Sequence, residues 1–229
     1  LLFIHGWGST SAIWEPLFGH LQHRFELYVL DLPGCGINAE VDAETINQLL
    51  DLYDQFVVAE LPEKYSVIGW SLGAVLATLI ALRHRDNVQA LFTIAANPNF
   101  VASPEWPTAM NVEVFAEFQR QFHSNPRKVL NRFVLLQAKG AHDSRKLALV
   151  LKSSAAAVLP EKHRSLHRGL DWLEGISLLR YWRQLEVPVF HSYGQNDALV
   201  PVAAAEQVQH IFSSHTVRRY PRSSHLPFI

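Results

Sequence analysis

Tyr65-Ser66-Val67-Ile68-Gly69-Trp70-Ser71-Leu72-Gly73-Ala74-Val75 decides how this chain is read. A short apolar run meets Gly-x-Ser-x-Gly, and a long apolar stretch with helical pattern follows. Strand, tight turn and helix in that order lift a serine hydroxyl above a sheet as a nucleophile. Glycines two residues to either side leave room where a Cβ would clash. The helix start just beyond Ser71 aims free backbone N–H groups at developing negative charge. Gly-x-Ser-x-Gly alone is common, and an ordinary serine in a strand-to-helix turn shares it; the flanks set this one apart.

A serine needs a base, and the base needs a group to orient it. Elbows of this kind pair with an acid and then a histidine later in the chain. Val187 to Gly194 reads as a buried strand, and Asp197 follows it as the only carboxylate between Glu186 and Glu206. Thr216 to Tyr220 reads as a further strand, with His225 in the loop after it. A turn-capping aspartate and a surface histidine are the plain alternatives, and twelve histidines make any single one unremarkable. Order and placement select Asp197 and His225. His191, inside an apolar strand, reads as a packed core histidine.

The tetrahedral oxyanion needs two donors. One is the N–H after the nucleophile, on Leu72. Leu1 to Ile4 reads as a strand running into His5-Gly6-Trp7-Gly8-Ser9, and Trp7 is the natural second donor. His5 reads as structural, holding this loop by hydrogen bonds. The Trp7 and Trp70 rings are candidates to wall an acyl pocket, against ordinary core packing.

The 229 residues, 48% of them hydrophobic, suffice for one α/β domain with a sizeable core. A net charge of −1 gives no global field toward nucleic acid or membrane. The single Cys35 rules out an intramolecular disulfide and suits a reducing, cytoplasmic compartment. There is no signal-peptide pattern and no run of about 18 apolar residues. The chain opens inside a strand and stops soon after His225, so both ends read as trimmed. A monomer is expected, with no metal and no organic cofactor.

Strands are expected at 1–4, 26–30, 65–69, 90–95, 187–193 and 215–220. Helices are expected at 11–23, 43–60, 72–84, 111–123, 126–138, 143–157, 171–183 and 201–212. This alternation implies a mostly parallel sheet with helices on both faces. Residues 1–97 and 186–229 form the expected core. Residues 98–185, opened by Pro98, Pro104 and Pro107 and without a convincing strand, form a helical cap over the strand C-terminal ends. From 120 to 170 eleven basic residues face only Asp143 and Glu161, so this stretch carries +9 and the rest −10. A basic lid on an acidic body either pairs with that body or attracts an acidic partner, namely a carboxylate substrate or an acidic carrier protein. No nucleic-acid motif accompanies the charges.

His-Gly-Trp-Gly at 5–8, Asp-Leu-Pro-Gly-Cys-Gly at 31–36, Gly-Trp-Ser-Leu-Gly at 69–73 and Ser-His-Leu-Pro-Phe at 224–228 give a chain that resembles the α/β-hydrolase superfamily. Asn-Pro-Asn-Phe at 97–100, Glu-Trp-Pro at 105–107, Phe-Gln-Arg-Gln at 118–121 and Arg-Phe-Val-Leu-Leu-Gln at 132–137 narrow the resemblance. They point to the pimeloyl-acyl-carrier-protein methyl ester esterases of bacterial biotin synthesis. The resemblance implies a Ser71–Asp197–His225 triad, an oxyanion site at Trp7 and Leu72, and an acyl channel lined by Phe133, Val134, Leu135, Leu136 and Gln137. It also implies an acyl-carrier-protein-linked ester as substrate, for which Arg127, Lys128, Arg132 and Arg145 are the candidate docking residues. Where members often have Ser, this chain has Asn38. A general short-chain carboxylesterase and a carbon–carbon bond hydrolase keep the same triad. A non-catalytic ligand receptor on the same scaffold is the reading from another class.

Overall fold

The computed structural model describes residues 1–156, 158 and 163–229. Residue 157 of the expected helix 143–157, and Glu161 and Lys162 of the charged stretch, lie outside the described residues. Six strands build one sheet: β1 (Leu2–Ile4), β2 (Tyr28–Leu30), β3 (Tyr65–Trp70), β4 (Val88–Ile94), β5 (Val189–Gly194) and β6 (Thr216–Tyr220). Their order is β2-β1-β3-β4-β5-β6, and every pairing is parallel. The central strands read as near-continuous apolar runs because both faces are covered. Successive side chains alternate between the faces. Leu2, Ile4 and Val67 join one apolar cluster, while Phe3, Ile68 and Trp70 join the other.

The helices are α1 (Glu15–Leu21), α2 (Ile46–Glu60), α3 (Leu72–Arg83), α4 (Val112–Ser124), α5 (Pro126–Ala138), α6 (Ser144–Ala155), α7 (His163–Gly175), α8 (Leu179–Trp182) and α9 (Ala203–Ile211). Helix α3 is buried from Leu72 to Ala81, which is why its sequence is apolar all round. Thr45 and Gln48 close a capping box that starts α2 three residues later than expected. Two helix expectations are corrected. The stretch 11–23 divides into a 3-10 turn, Ser11–Trp14, and α1, because Pro16 is accommodated only in a helix's first turn. The expected helix 171–183 is two helices, α7 and α8, and α7 starts eight residues earlier. Leu166, Leu170 and Leu173 supply its buried face at helical spacing, hidden in sequence among histidines and arginines.

Among the described residues between β4 and β5, helices and isolated bridges occur, and no strand joins the sheet. The two ends of this segment meet where Leu178 N–H donates to the Pro98 carbonyl at 2.7 Å. No helix among the described residues is long and apolar enough to cross a membrane.

Candidate active site

Ser71 stands between β3 and α3 with φ 54° and ψ −119°, a conformation that costs energy for any residue with a Cβ. Its N–H donates to the Ile94 carbonyl at 2.9 Å, and its own carbonyl accepts from Ala74 N–H at 2.9 Å, so the turn is held from both sides. A Cβ on Gly69 would run into the backbone of Gly73 and Ala74, and one on Gly73 into the Ile4 and His5 carbonyls. The elbow's glycines are therefore dictated by backbone approach. Leu72 is the first residue of α3, so its N–H has no partner within the helix.

Asp197 lies three residues beyond β5 and His225 five beyond β6. His225 Nδ1 and Asp197 Oδ2 are 2.7 Å apart, with both side chains 1% exposed. Asp197 Oδ1 accepts from the N–H groups of Leu199 and Val200 at 2.8 and 3.1 Å, which fixes the carboxylate. An ionised carboxylate only accepts, so Nδ1 carries the proton and Nε2 presents its lone pair. Nε2 is buried and makes no hydrogen bond. The structure thus joins His225 to Asp197, while the Ser71–His225 hydrogen bond is not formed; such bonds are often long before substrate binds. His225 is further held by its N–H on the Gln137 carbonyl at 3.3 Å and by the Trp70 indole N–H on its carbonyl at 2.9 Å.

His5 is fully buried. Its Nε2 accepts from Leu32 N–H at 2.9 Å, and Nδ1 sits 2.8 Å from the Gly6 carbonyl. Both nitrogens are committed to backbone, which keeps His5 from serving as a base. Asp31 beside it accepts from Ser11 and Ile37 N–H at 2.6 and 3.0 Å. Burial works to raise this carboxyl, but the His5 ring and those N–H groups outweigh it and hold the pKa below its ordinary value. Asn38 donates to the Asp31 carbonyl at 2.6 Å, so it braces the same loop. His191 is packed between Thr93 and His215, away from Asp197's hydrogen bonds.

A cavity of about 60 Å³ opens on Ser71, walled by Trp7, Phe118, Phe133, Leu136 and Leu170 among others. Val114, Phe118, Phe133 and Leu136 also line a groove of about 540 Å³ between α4 and α5. That groove shares Glu117, Gln121, Val129 and Arg132 with an outer one of about 490 Å³, where Arg120 and Lys128 stand. The 133–137 segment does not line the cavity as a unit. Phe133 and Leu136 face it, Leu135 is 54% exposed, and Val134 packs against the opposite apolar cluster. Gln137 is buried with its carbonyl on His225. One face of a helix cannot present five consecutive residues. Trp70 likewise does not wall the cavity; it packs with Phe228 and His225. Arg145 is exposed on α6 and lines neither groove, and Arg127 is exposed on α5. Arg168 pairs with Asp42, so part of the basic stretch does bind the acidic body. Phe118 and Leu170 wall the cavity without being expected to: Phe118 enters only through the 118–121 motif, and Leu170 falls just ahead of the expected helix 171–183. No cluster of three metal-ligating side chains occurs among the described residues.

The sequence pattern of the α/β-hydrolase fold matches residues 1–229. The chain belongs to the α/β-hydrolase family. This hydrolase is 31% identical over 229 residues to the pimeloyl-[acyl-carrier protein] methyl ester esterase of Vibrio vulnificus strain CMCP6, covering all of this chain and 88% of the relative. It is also 31% identical to the esterase of that name from Nitrosomonas europaea, covering 100% and 89%. Among solved structures, an esterase from Exiguobacterium antarcticum superposes with a TM-score of 0.84 at 16% identity, over 100% of this hydrolase and 86% of that chain. That last likeness concerns the fold alone.

Proposed function

We propose that this hydrolase is a serine carboxylesterase that cleaves the methyl ester of a pimeloyl chain carried on acyl-carrier protein, with residues 98–185 as its cap. His225 takes the Ser71 proton through Nε2 as Ser71 Oγ attacks the ester carbonyl. Asp197 stabilises the resulting imidazolium. The N–H groups of Trp7 and Leu72 hold the oxyanion. Methanol leaves with the proton returned by His225. Water then attacks the acyl-enzyme with His225 again as base, freeing the distal carboxylate and Ser71.

The observation that carries this function is the buried, hydrogen-bonded Asp197–His225 pair beside a strained Ser71 that opens on an apolar cavity. The α4–α5 groove supports the carrier-linked substrate. Its apolar inner wall suits a methylene chain, at about 0.8 kcal/mol per CH₂ buried. Its outer end at Arg132 and Lys128 suits the acidic carrier. The relatives' names agree with that substrate.

A fluorophosphonate should add to Ser71 in the wild-type protein, read by peptide mass spectrometry, and the carrier-linked methyl ester should turn over far faster than short p-nitrophenyl esters. Labelling with preference for the short esters would leave a general esterase. No labelling and no turnover, with ligand-dependent partner binding, would leave the receptor.

A further inference from the structure

We propose that Gly169 of α7 is a positioning residue through which the cap sets the oxyanion site. The proposal rests on the assignment of that site to Trp7 and Leu72 above. A Cβ built on Gly169 would lie 2.9 Å from Trp7 Cδ1, 3.4 Å from Trp7 Nε1 and 3.1 Å from Leu72 Cδ2. One missing side chain therefore abuts the side chains of both candidate donors. Glycine is a poor residue for the middle of a helix, so its presence in α7 asks for a reason, and this close approach supplies one.

Neither partner can step aside freely. The Trp7 indole is 2% exposed. It meets the rings of Phe118, Phe122 and Phe133 at centroid distances of 5.6, 5.1 and 5.0 Å, all edge to face. Its Nε1 donates to the Leu166 carbonyl of α7 at 2.7 Å. Leu72 is 1% exposed at the start of the buried α3. Helix α7 is fastened as well. Arg168, next to Gly169, donates to the Asp42 carboxylate and, at 3.1 Å, to the Ala43 carbonyl, both ahead of α2. Pressure at Gly169 must pass through a wedged indole into the 5–9 loop, and so into the Trp7 N–H. An oxyanion donor misplaced by a few tenths of an ångström loses most in the transition state, where the charge develops. The consequence is a loss in kcat that leaves substrate binding nearly untouched.

The test uses the purified full chain with Gly169→Ala, Trp7→Phe and the double variant. The readouts are kcat and KM on a soluble methyl ester, the inhibition constant of a trifluoromethyl ketone that forms a tetrahedral adduct on Ser71, and the melting temperature. Gly169→Ala should lower kcat about tenfold or more and weaken the ketone by the same factor. KM should stay within about twofold, and the melting temperature should not fall in step. Trp7→Phe keeps the backbone donor and gives up the bond to Leu166, and its smaller, unanchored ring can turn away from a Cβ on residue 169. In its background Gly169→Ala should therefore cost much less than alone. Additive losses, a KM effect alone, or an unchanged kcat in folded Gly169→Ala overturns the proposal. If Gly169→Ala does not fold, Trp7→Phe still decides, since unchanged kcat and ketone affinity there remove the coupling through the indole. Phosphonate labelling of wild-type Ser71 is scored separately, so its failure sinks the esterase assignment rather than the role of Gly169.

Discussion

Ser71 pays in backbone strain for its position, and its neighbours show why. Gly69 and Gly73 allow two backbones to meet under it, and the Ile94 carbonyl holds its N–H. Ser71→Ala keeps that backbone and removes the oxygen. It should reduce ester turnover by about three orders of magnitude or more while the melting temperature moves little. Near-normal kcat in the folded variant would sink the serine mechanism. Asp197→Asn is a sharper probe of the base. The carboxylate both caps the 199–200 loop and orients His225 Nδ1. An amide can still accept from the loop but can present N–H to the imidazole, which favours the wrong tautomer. The expected result is a loss in kcat of about 10³–10⁴-fold with KM changed far less. A loss confined to KM would exclude the orienting role.

Strand β5 leads to Asp197, and it also carries a histidine whose hydrogen bonds run to Thr93 and His215 rather than to Asp197. His191 Nδ1 lies 2.6 Å from Thr93 Oγ1 and Nε2 lies 2.9 Å from His215 Nδ1, with Trp182 against the ring. Burial first, and the neighbouring His215 second, press the His191 pKa from 6.5 down to about 3. Burial lowers His215 too. A depressed histidine favours its neutral form in the folded state. Its contribution to stability is full above the unfolded value of 6.5 and is lost as pH falls toward about 3. Each such group gives a slope of at most about 1.4 kcal/mol per pH unit. Urea unfolding should therefore show stability falling between pH 7 and pH 5. His191→Asn should be less stable at pH 7 and show a shallower decline. An equal slope in the variant would assign the acid sensitivity elsewhere.

Across the whole molecule the charges are sorted between residues 120–170 and the rest of the chain, and the structure divides the basic ones again by their partners. Arg168 is bound to Asp42 and approaches Glu44, while Arg120 is paired with Glu117 on its own helix. Lys128 and Arg132 instead line the outer groove, which adjoins the α4–α5 groove whose Phe118, Phe133 and Leu136 also wall the Ser71 cavity. Exposed charges act over about 8–10 Å in physiological salt, mainly on association rate. Lys128→Glu with Arg132→Glu should raise KM for the carrier-linked ester several-fold at low salt. The difference should shrink as salt rises, and turnover of a small soluble ester should barely change. Equal losses on both substrates would make these charges structural.

Local patterns in the sequence determined the strand-elbow-helix unit around Ser71, the parallel sheet, and the order of Asp197 and His225, because each is a short-range constraint. A buried parallel strand must be apolar, a tight elbow must have glycine, and an acid or base at a sheet's end must follow its strand. Tertiary structure alone decided which residues of a helix face the cavity. Phe133 and Leu136 do, and Val134, Leu135 and Gln137 do not, because helix rotation is set by what packs on the other side. It alone separated Trp7, at the cavity, from Trp70, under His225. It alone brought Gly169 against Trp7 and Leu72 from far along the chain, since nothing in a single sequence records which distant side chain a glycine makes room for.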